Sequence, residues 1–202
     1  MKIAAIQLSV IENDPAATFD KARHAIGQCR DADLVMLPEI WQTGFMRFDR
    51  YVPDAQTMDG PFVENLGKLA REYQIYLHTG SFVEKDKDHY YNTSVLFSPD
   101  GAVLATYRKI HLFGYNSKET QILTPGQTPV VVETPFGRMG MATCFDLRFP
   151  ELFRAMVDQG ADHVSGMFRL ALSPAACLDH AQPGPCPGKS VLSGLCQQLR
   201  YE

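Results

Sequence analysis

Cys144, Glu39 and Lys109 are the residues of this chain whose type and setting could carry covalent catalysis. Cys144 ends the apolar run GRMGMATC and is followed by FDLRFPELFR, so a strand delivers the thiol to a turn and a helix begins soon after. That is a nucleophile-elbow arrangement without the GxSxG sequence. It exposes the side chain at the C-terminal end of a strand, beside backbone N–H groups that can hold an oxyanion. A cationic neighbour would favour the thiolate. Glu39, in LPEIWQTGF, follows a buried strand and a proline, where a partly buried carboxylate suits proton transfer. Lys109, in YRKIHLFGYNSKETQILTPG, follows another strand and has Glu119 further along the same segment; its ammonium could be aimed at a developing oxyanion. Taken singly, each has an ordinary explanation: a cysteine is usually a small buried hydrophobe, a glutamate a solvated loop charge and a lysine a surface charge. The combination points to chemistry.

Together the three segments resemble the signature blocks of the nitrilase superfamily of carbon–nitrogen hydrolases: PE…GF around the base, YRK-H around the lysine and C-x-D-x-R-FPE around the nucleophile. The resemblance covers residues 1–162, and within the superfamily it is most similar to the ω-amidase-like branch of small-amide hydrolases. It implies that Cys144 attacks an amide carbon to form a thioester, with Glu39 as the base. Lys109 and the backbone N–H of Phe145 would hold the oxyanion, and Glu119 would orient Lys109 and Glu39. The resemblance also implies an α/β fold, a four-layer α-β-β-α sandwich, which here lacks its C-terminal portion. A small-molecule amide and water are the expected reactants, no metal or organic cofactor is implied, and a homodimer or larger homo-oligomer is expected. Asp146, Arg148 and Glu151 are expected to brace the elbow, and His111 to be structural rather than half of a Cys–His pair. Nitrile and carbamoyl substrates stay open.

Strand-like and helix-like patterns alternate through the first 162 residues, as an α/β architecture requires. KIAAIQL reads as a buried strand. Asp14–Pro15 is a helix start, with an acceptor cap followed by proline in the first turn, and the helix runs to about Cys29. DLVMLPE is a strand ending at Pro38 and Glu39. Phe62, Leu66, Leu69 and Tyr73 recur at helical spacing, and IYLHTGSFV is the next strand. NTSVLFSPDGAVLATYRK is a hairpin turning at Ser98–Gly101, TPVVVETPFGRMGMATC a second hairpin turning at Pro135–Gly137, and Pro150–Gln159 a helix.

The composition is that of a globular protein: of 202 residues, 45% are hydrophobic and 21% charged, with a net charge of −4. A pI near 5.9 offers no footprint for nucleic acid and no attraction to an anionic membrane. The N-terminal apolar run is short and reaches Glu12, Asn13 and Asp14 without a cleavage signal, so a cytoplasmic protein is expected. Cys29, Cys144, Cys177, Cys186 and Cys196 show no CxxC pair or zinc spacing.

From His163 onward the periodicity is lost, and three of the cysteines fall in a proline- and glycine-bearing stretch. Residues 163–202 read as an aberrant tail, disordered or out of frame. Back-translated and shifted forward by one base, with third bases freely chosen, the tail admits a hydrophobic strand, a WP turn and a helix-forming ARALEN run. A frameshift just after Asp162 would account for this. Two functional expectations follow: a hydrolase acting on a small linear amide, or an inactive, poorly folded fragment of such an enzyme. A non-enzymatic binding domain is a third, and the presence of all three candidate residues argues against it.

Overall fold

The computed structural model describes residues 1–167. In chain order the elements are β1 (Ile3–Ala5), α1 (Pro15–Gln28), β2 (Leu34–Met36), α2 (Phe48–Tyr51), α3 (Pro61–Tyr73), β3 (Tyr76–His78), β4 (Phe82–Asp86), β5 (His89–Phe97) and β6 (Val103–Arg108). They continue with α4 (Glu119–Ile122), β7 (Val130–Thr134), β8 (Gly137–Thr143), a 3-10 turn (Cys144–Arg148), α5 (Pro150–Asp158) and β9 (His163–Met167). No helix among the described residues is long and apolar enough to cross a membrane.

The helix starts follow the local chemistry. Asp14 caps α1 by accepting a hydrogen bond from Ala17 N–H at 2.9 Å, and Pro15 occupies the first turn, where its missing N–H costs nothing. Pro61 opens α3 in the same way, and that helix closes on Gln74 in the left-handed region.

Two sheets form. In the first, β1, β2 and β3 run parallel, and β3 is antiparallel to β5. β4 also pairs with β5, further along the same side as β3, and β6 takes the other side. The second sheet has the order β7-β8-β9, with β8 and β9 parallel.

Strand alternation then sorts the core into layers. On β2, Val35 joins Ala22 and Ile26 of α1 and Leu66, Leu69 and Ala70 of α3 on the helix-facing side. Its neighbours Leu34 and Met36 turn the other way and pack between the sheets with Leu96, Tyr107, Met139 and Met141. That two-sided burial is why the second strand is a continuous apolar run. On the far face of the second sheet, Ala142 and Val164 meet Leu152 and Met156 of α5. Helices, sheet, sheet and helix are thus stacked in the α-β-β-α order. Each wholly buried Leu or Ile in these layers contributes roughly 1.5–3 kcal/mol.

The expected elements recur, with two differences. IYLHTGSFV is not one strand. It is β3 and β4, broken at Thr79–Ser81, where Gly80 takes a φ of +64° and lets the chain kink between two stations along β5. The hairpin that begins at Asn92 in the sequence reading starts earlier, because β5 extends back to His89 and also pairs with β4. Beyond Asp162, the residues His163–Met167 pair with β8 as β9. Cys177, Cys186, Cys196 and the shifted-frame reading beyond Met167 lie outside the described residues.

Candidate active site

Each candidate residue sits where a strand gives out. Glu39 lies just beyond β2, Lys109 directly follows β6, and Cys144 directly follows β8; Glu119 opens α4.

The segment bearing Glu39 is gripped by the kink between β3 and β4. Ser81 N–H donates to Pro38 O at 3.1 Å, Ser81 Oγ accepts from Ile40 N–H at 3.0 Å, and Trp41 Nε1–H donates to Thr79 O at 2.9 Å. Ile40 is held at a φ of +43°, which a β-branched residue rarely adopts. The kink must be glycine: a Cβ on Gly80 would stand 1.9 Å from Pro38 O.

Lys109 is placed by the ladder. Its N–H donates to Asn92 O at 2.8 Å, and its side chain, 0% exposed, reaches Glu39 Oε1 at 2.8 Å. The same ammonium lies 3.1 and 3.2 Å from the two oxygens of Glu119. Glu119 Oε2 also accepts from Phe113 N–H at 2.8 Å. Asn92, wholly buried on β5, donates from Nδ2 to Glu39 Oε1 and to Glu119 Oε1, both at 3.0 Å. Glu39 is thus asymmetric. Its Oε1 takes two donors, while Oε2 is buried with no hydrogen-bond partner.

Cys144 has a φ of +47°, the strained backbone expected of an elbow. The turn is pinned by Asp146, which is 0% exposed. Its Oδ2 accepts from Thr143 N–H at 2.9 Å and from Tyr107 O–H at 2.6 Å, and its Oδ1 accepts from His111 N–H at 3.0 Å. His111 Nδ1 is a further 2.8 Å from Oδ1, and the imidazole stacks on Phe149 at 3.7 Å. His111 therefore does have an acidic partner, which the sequence reading did not find, and the pair braces the elbow. Phe145 is the second residue of the 3-10 turn, where backbone N–H groups have no partner within the helix.

The electrostatics tie the four groups together. Burial alone would lower the Lys109 pKa, but Glu39, Glu119 and Cys144 outweigh it and hold the lysine above its ordinary value, firmly as an ammonium. Burial raises Glu119; Lys109 opposes that and Glu39 adds to it. Tyr51, buried on α2, is raised by burial and by the same carboxylates and Cys144, so it stays a neutral phenol. Cys144 thus lies within electrostatic reach of Lys109 and Tyr51. A thiol within reach of a fixed ammonium and of a cluster holding an unpartnered carboxylate oxygen can form a covalent bond to an electrophilic carbon. No cluster suited to a metal ion occurs among the described residues.

Sequence reasoning missed Asn92, Gly80, Ser81 and the His111–Asp146 pair. An asparagine inside a strand and a Thr-Gly-Ser run inside an apolar segment were the available signals.

The chain is 38% identical over 137 residues to 2-oxoglutaramate amidase of Paenarthrobacter nicotinovorans, covering 64% of this chain and 47% of that protein. It is 34% identical over 182 residues to the human omega-amidase NIT2, covering 84% and 64%. The chain therefore spans about half to two thirds of the length of these relatives. Among solved structures, Saccharomyces cerevisiae Nit3, a member of branch 10 of the nitrilase superfamily, superposes with a TM-score of 0.74 at 31% identity, covering 81% of this chain and 62% of that one. A mutant of the amidase from Nesterenkonia sp. AN1 gives 0.72 at 26% identity, covering 81% and 63%; it shows covalent addition of the acetamide moiety of fluoroacetamide at the active-site cysteine. The profile of the carbon-nitrogen hydrolase family matches residues 2–178, and the chain belongs to that family.

Proposed function

We propose that this chain carries the site for hydrolysing the carbon–nitrogen bond of a small linear amide through a thioester on Cys144. The observation that supports it most directly is the asymmetry of Glu39, whose Oε1 is held by Lys109 and Asn92 while Oε2 is buried without a partner. A buried acceptor left open is unfavourable by about 1–3 kcal/mol, a cost that makes sense where a proton is to be received.

The steps balance as follows. The thiol proton of Cys144 passes to Glu39 Oε2 as sulfur attacks the amide carbon, and the carbonyl electron pair becomes an oxyanion. Lys109 and the N–H of Phe145 stabilise that charge. The carbon–nitrogen bond then breaks, and Glu39 returns its proton to the leaving nitrogen, which departs as ammonia or an amine. Water attacks the thioester as Glu39 takes its proton, the carbon–sulfur bond breaks to release a carboxylic acid, and Glu39 returns that proton to the departing sulfur, which restores the thiol and the carboxylate. Glu119 keeps Lys109 in place throughout. The names of the relatives favour short dicarboxylic monoamides as substrates. A homo-oligomer acting in the cytoplasm, on the family's pattern, completes this reading.

A second reading rests on β9. His163 Nε2 and Ser165 Oγ are buried with no hydrogen-bond partner, in register with Met139 and Met141 of the inter-sheet core. Polar residues stranded there conflict with the rest of the sandwich. The conflict supports a division into a hydrolase segment, 1–162, and an out-of-frame tail, 163–202, with the chain an inactive fragment; the family match, which runs on to residue 178, weighs the other way.

One experiment separates the readings. The chain and a version with the frame restored after Asp162 are assayed for ammonia release from short dicarboxylic monoamides, with Cys144→Ala as the blank. Turnover in the restored form alone supports the fragment reading, and turnover in both refutes it. No turnover above the blank in either form overturns the amidase reading.

A further inference from the structure

Asn92 has a bonding pattern that packing alone does not require. It is wholly buried in β5, and its one amide nitrogen serves two carboxylates, Glu39 Oε1 and Glu119 Oε1, each at 3.0 Å. Its Oδ1 is buried with no partner. Turned over, the amide would set Oδ1 against two carboxylate oxygens, so the observed orientation is the only one its neighbours tolerate. The residue type is equally constrained. Aspartate here would put a third carboxylate beside a single ammonium, and an aliphatic side chain would leave both glutamates short of a donor.

The ladder explains the reach. Asn92 O accepts from Lys109 N–H at 2.8 Å, which aligns the two side chains on one face toward the same pair of carboxylates. Asn92 from β5 and Lys109 from just beyond β6 converge on Glu39 Oε1 and hold the carboxylate against rotation. Only Oε2 is left to take a proton.

We propose that Asn92 is a positioning residue: a neutral bridge between Glu39 and Glu119 that holds Glu39 with Oε2 open toward Cys144. This rests on Glu39 acting as the base for Cys144. The charged and titratable groups facing the site are Glu39 beyond β2, Tyr51 on α2, Lys109 beyond β6, Glu119 on α4 and Cys144 beyond β8.

The test reads the thiol directly, without substrate. Iodoacetamide labelling of Cys144 is followed by peptide mass spectrometry across neutral and alkaline pH, with the half-buried, free Cys29 as the internal reference. The chain is compared with Asn92→Asp, Asn92→Ser and Glu39→Gln. Asn92→Asp is expected to move the Cys144 profile up by about one pH unit and to slow labelling at neutral pH by about tenfold. Asn92→Ser, whose hydroxyl cannot span both carboxylates, is expected to move it in the same direction by less, and it decides the matter if Asn92→Asp does not fold. Cys29 should label unchanged throughout. A lowered melting temperature with an unmoved Cys144 profile in the Asn92 variants means a structural role only and overturns the proposal. A profile that moves in Glu39→Gln but in neither Asn92 variant removes Asn92 alone. One that moves in none of the three removes Glu39 as the base, and the proposal with it.

Discussion

Lys109 Nζ and Glu39 Oε1 are 2.8 Å apart in a wholly buried setting, though the residues lie 70 positions apart in sequence. A single ammonium there neutralises one of two carboxylates, so the Glu39–Lys109–Glu119 cluster carries one uncompensated negative charge when all three are ionised. Desolvating that charge is costly, and hydrogen bonds from Asn92 and Phe113 offset part of the cost. Glu119 receives donors on both oxygens and Glu39 on only one, which leaves Glu39 Oε2 as the unpartnered oxygen of the cluster.

Glu39→Gln tests that asymmetry. An amide whose oxygen accepts from Lys109 and Asn92 keeps both contacts and relieves the extra charge. Stability should stay within about 1 kcal/mol of the parent, as it does when a polar group is replaced with its partners retained. Labelling of Cys144 at neutral pH should fall about a hundredfold, the usual size of a lost general base. Urea denaturation and thiol labelling on the same sample check both halves. Loss of stability together with undiminished labelling would contradict them.

Lys109→Met should do the reverse. It leaves two buried carboxylates without their cation, a change that costs about 3–5 kcal/mol. Folded-state pKa values raised in this way favour the protein below the unfolded carboxylate range and penalise it as pH rises through the raised values. The variant's deficit, measured by urea denaturation, should therefore shrink on acidification. A deficit that does not depend on pH would show that the carboxylates find other partners.

The sites were legible where chemistry coincides with a strand end. Pro38–Glu39, Arg108–Lys109 and Thr143–Cys144 each close an apolar run, and the local pattern marks them. The break between β3 and β4 was not legible, because Thr79, Gly80 and Ser81 are flanked by apolar residues that read as one strand, and only the Pro38 carbonyl behind Gly80 makes the kink necessary. Asn92 and the His111–Asp146 pair depend on partners brought from 27 to 53 positions away, and a linear pattern carries no trace of such contacts. The layers followed from the family resemblance rather than from the pattern; the run Leu34, Val35 and Met36, apolar on both faces, fits them, since such a strand must be covered on both sides.

Gly80→Ala should be among the most damaging single changes. It combines a positive φ with a clash against Pro38 O, and the backbone that would have to yield is the one that carries Glu39. A loss of at least about 3 kcal/mol is expected from strain and displacement together. Denaturant unfolding measures it, and a loss below about 1 kcal/mol would mean that the kink is soft.

His78 links stability to pH. Burial lowers its pKa from 6.5 to about 4, and its Nδ1 accepts from Gly80 N–H at 3.1 Å. The native state keeps the ring neutral while the unfolded chain takes up a proton below pH 6.5. The stability this provides is complete above 6.5 and is lost as pH falls from 6.5 to about 4. At full effect the loss is about 3 kcal/mol. His78→Leu, placed beside Met36 and Leu96, should remove that slope. Unfolding free energies at several pH values compare the two proteins, and parallel curves would show that His78 is not responsible.

The pairing of β9 with β8 makes the last prediction. In parallel register, His163 lies beside Met139 and Ser165 beside Met141, so a strand that should be apolar toward the first sheet carries an imidazole and a hydroxyl instead. Their Nε2 and Oγ find no partner, and each such orphan costs about 1–3 kcal/mol. His163→Leu with Ser165→Val replaces both with residues that suit a buried strand. The double variant should gain at least about 2 kcal/mol in urea denaturation, since it removes two penalties and adds apolar burial. A gain would mean that the site-bearing sandwich is intact and that the mismatch is confined to the strand that follows Asp162. No gain would mean that β9 contributes little to the native state, and the cause of any inactivity would have to be sought within the site itself.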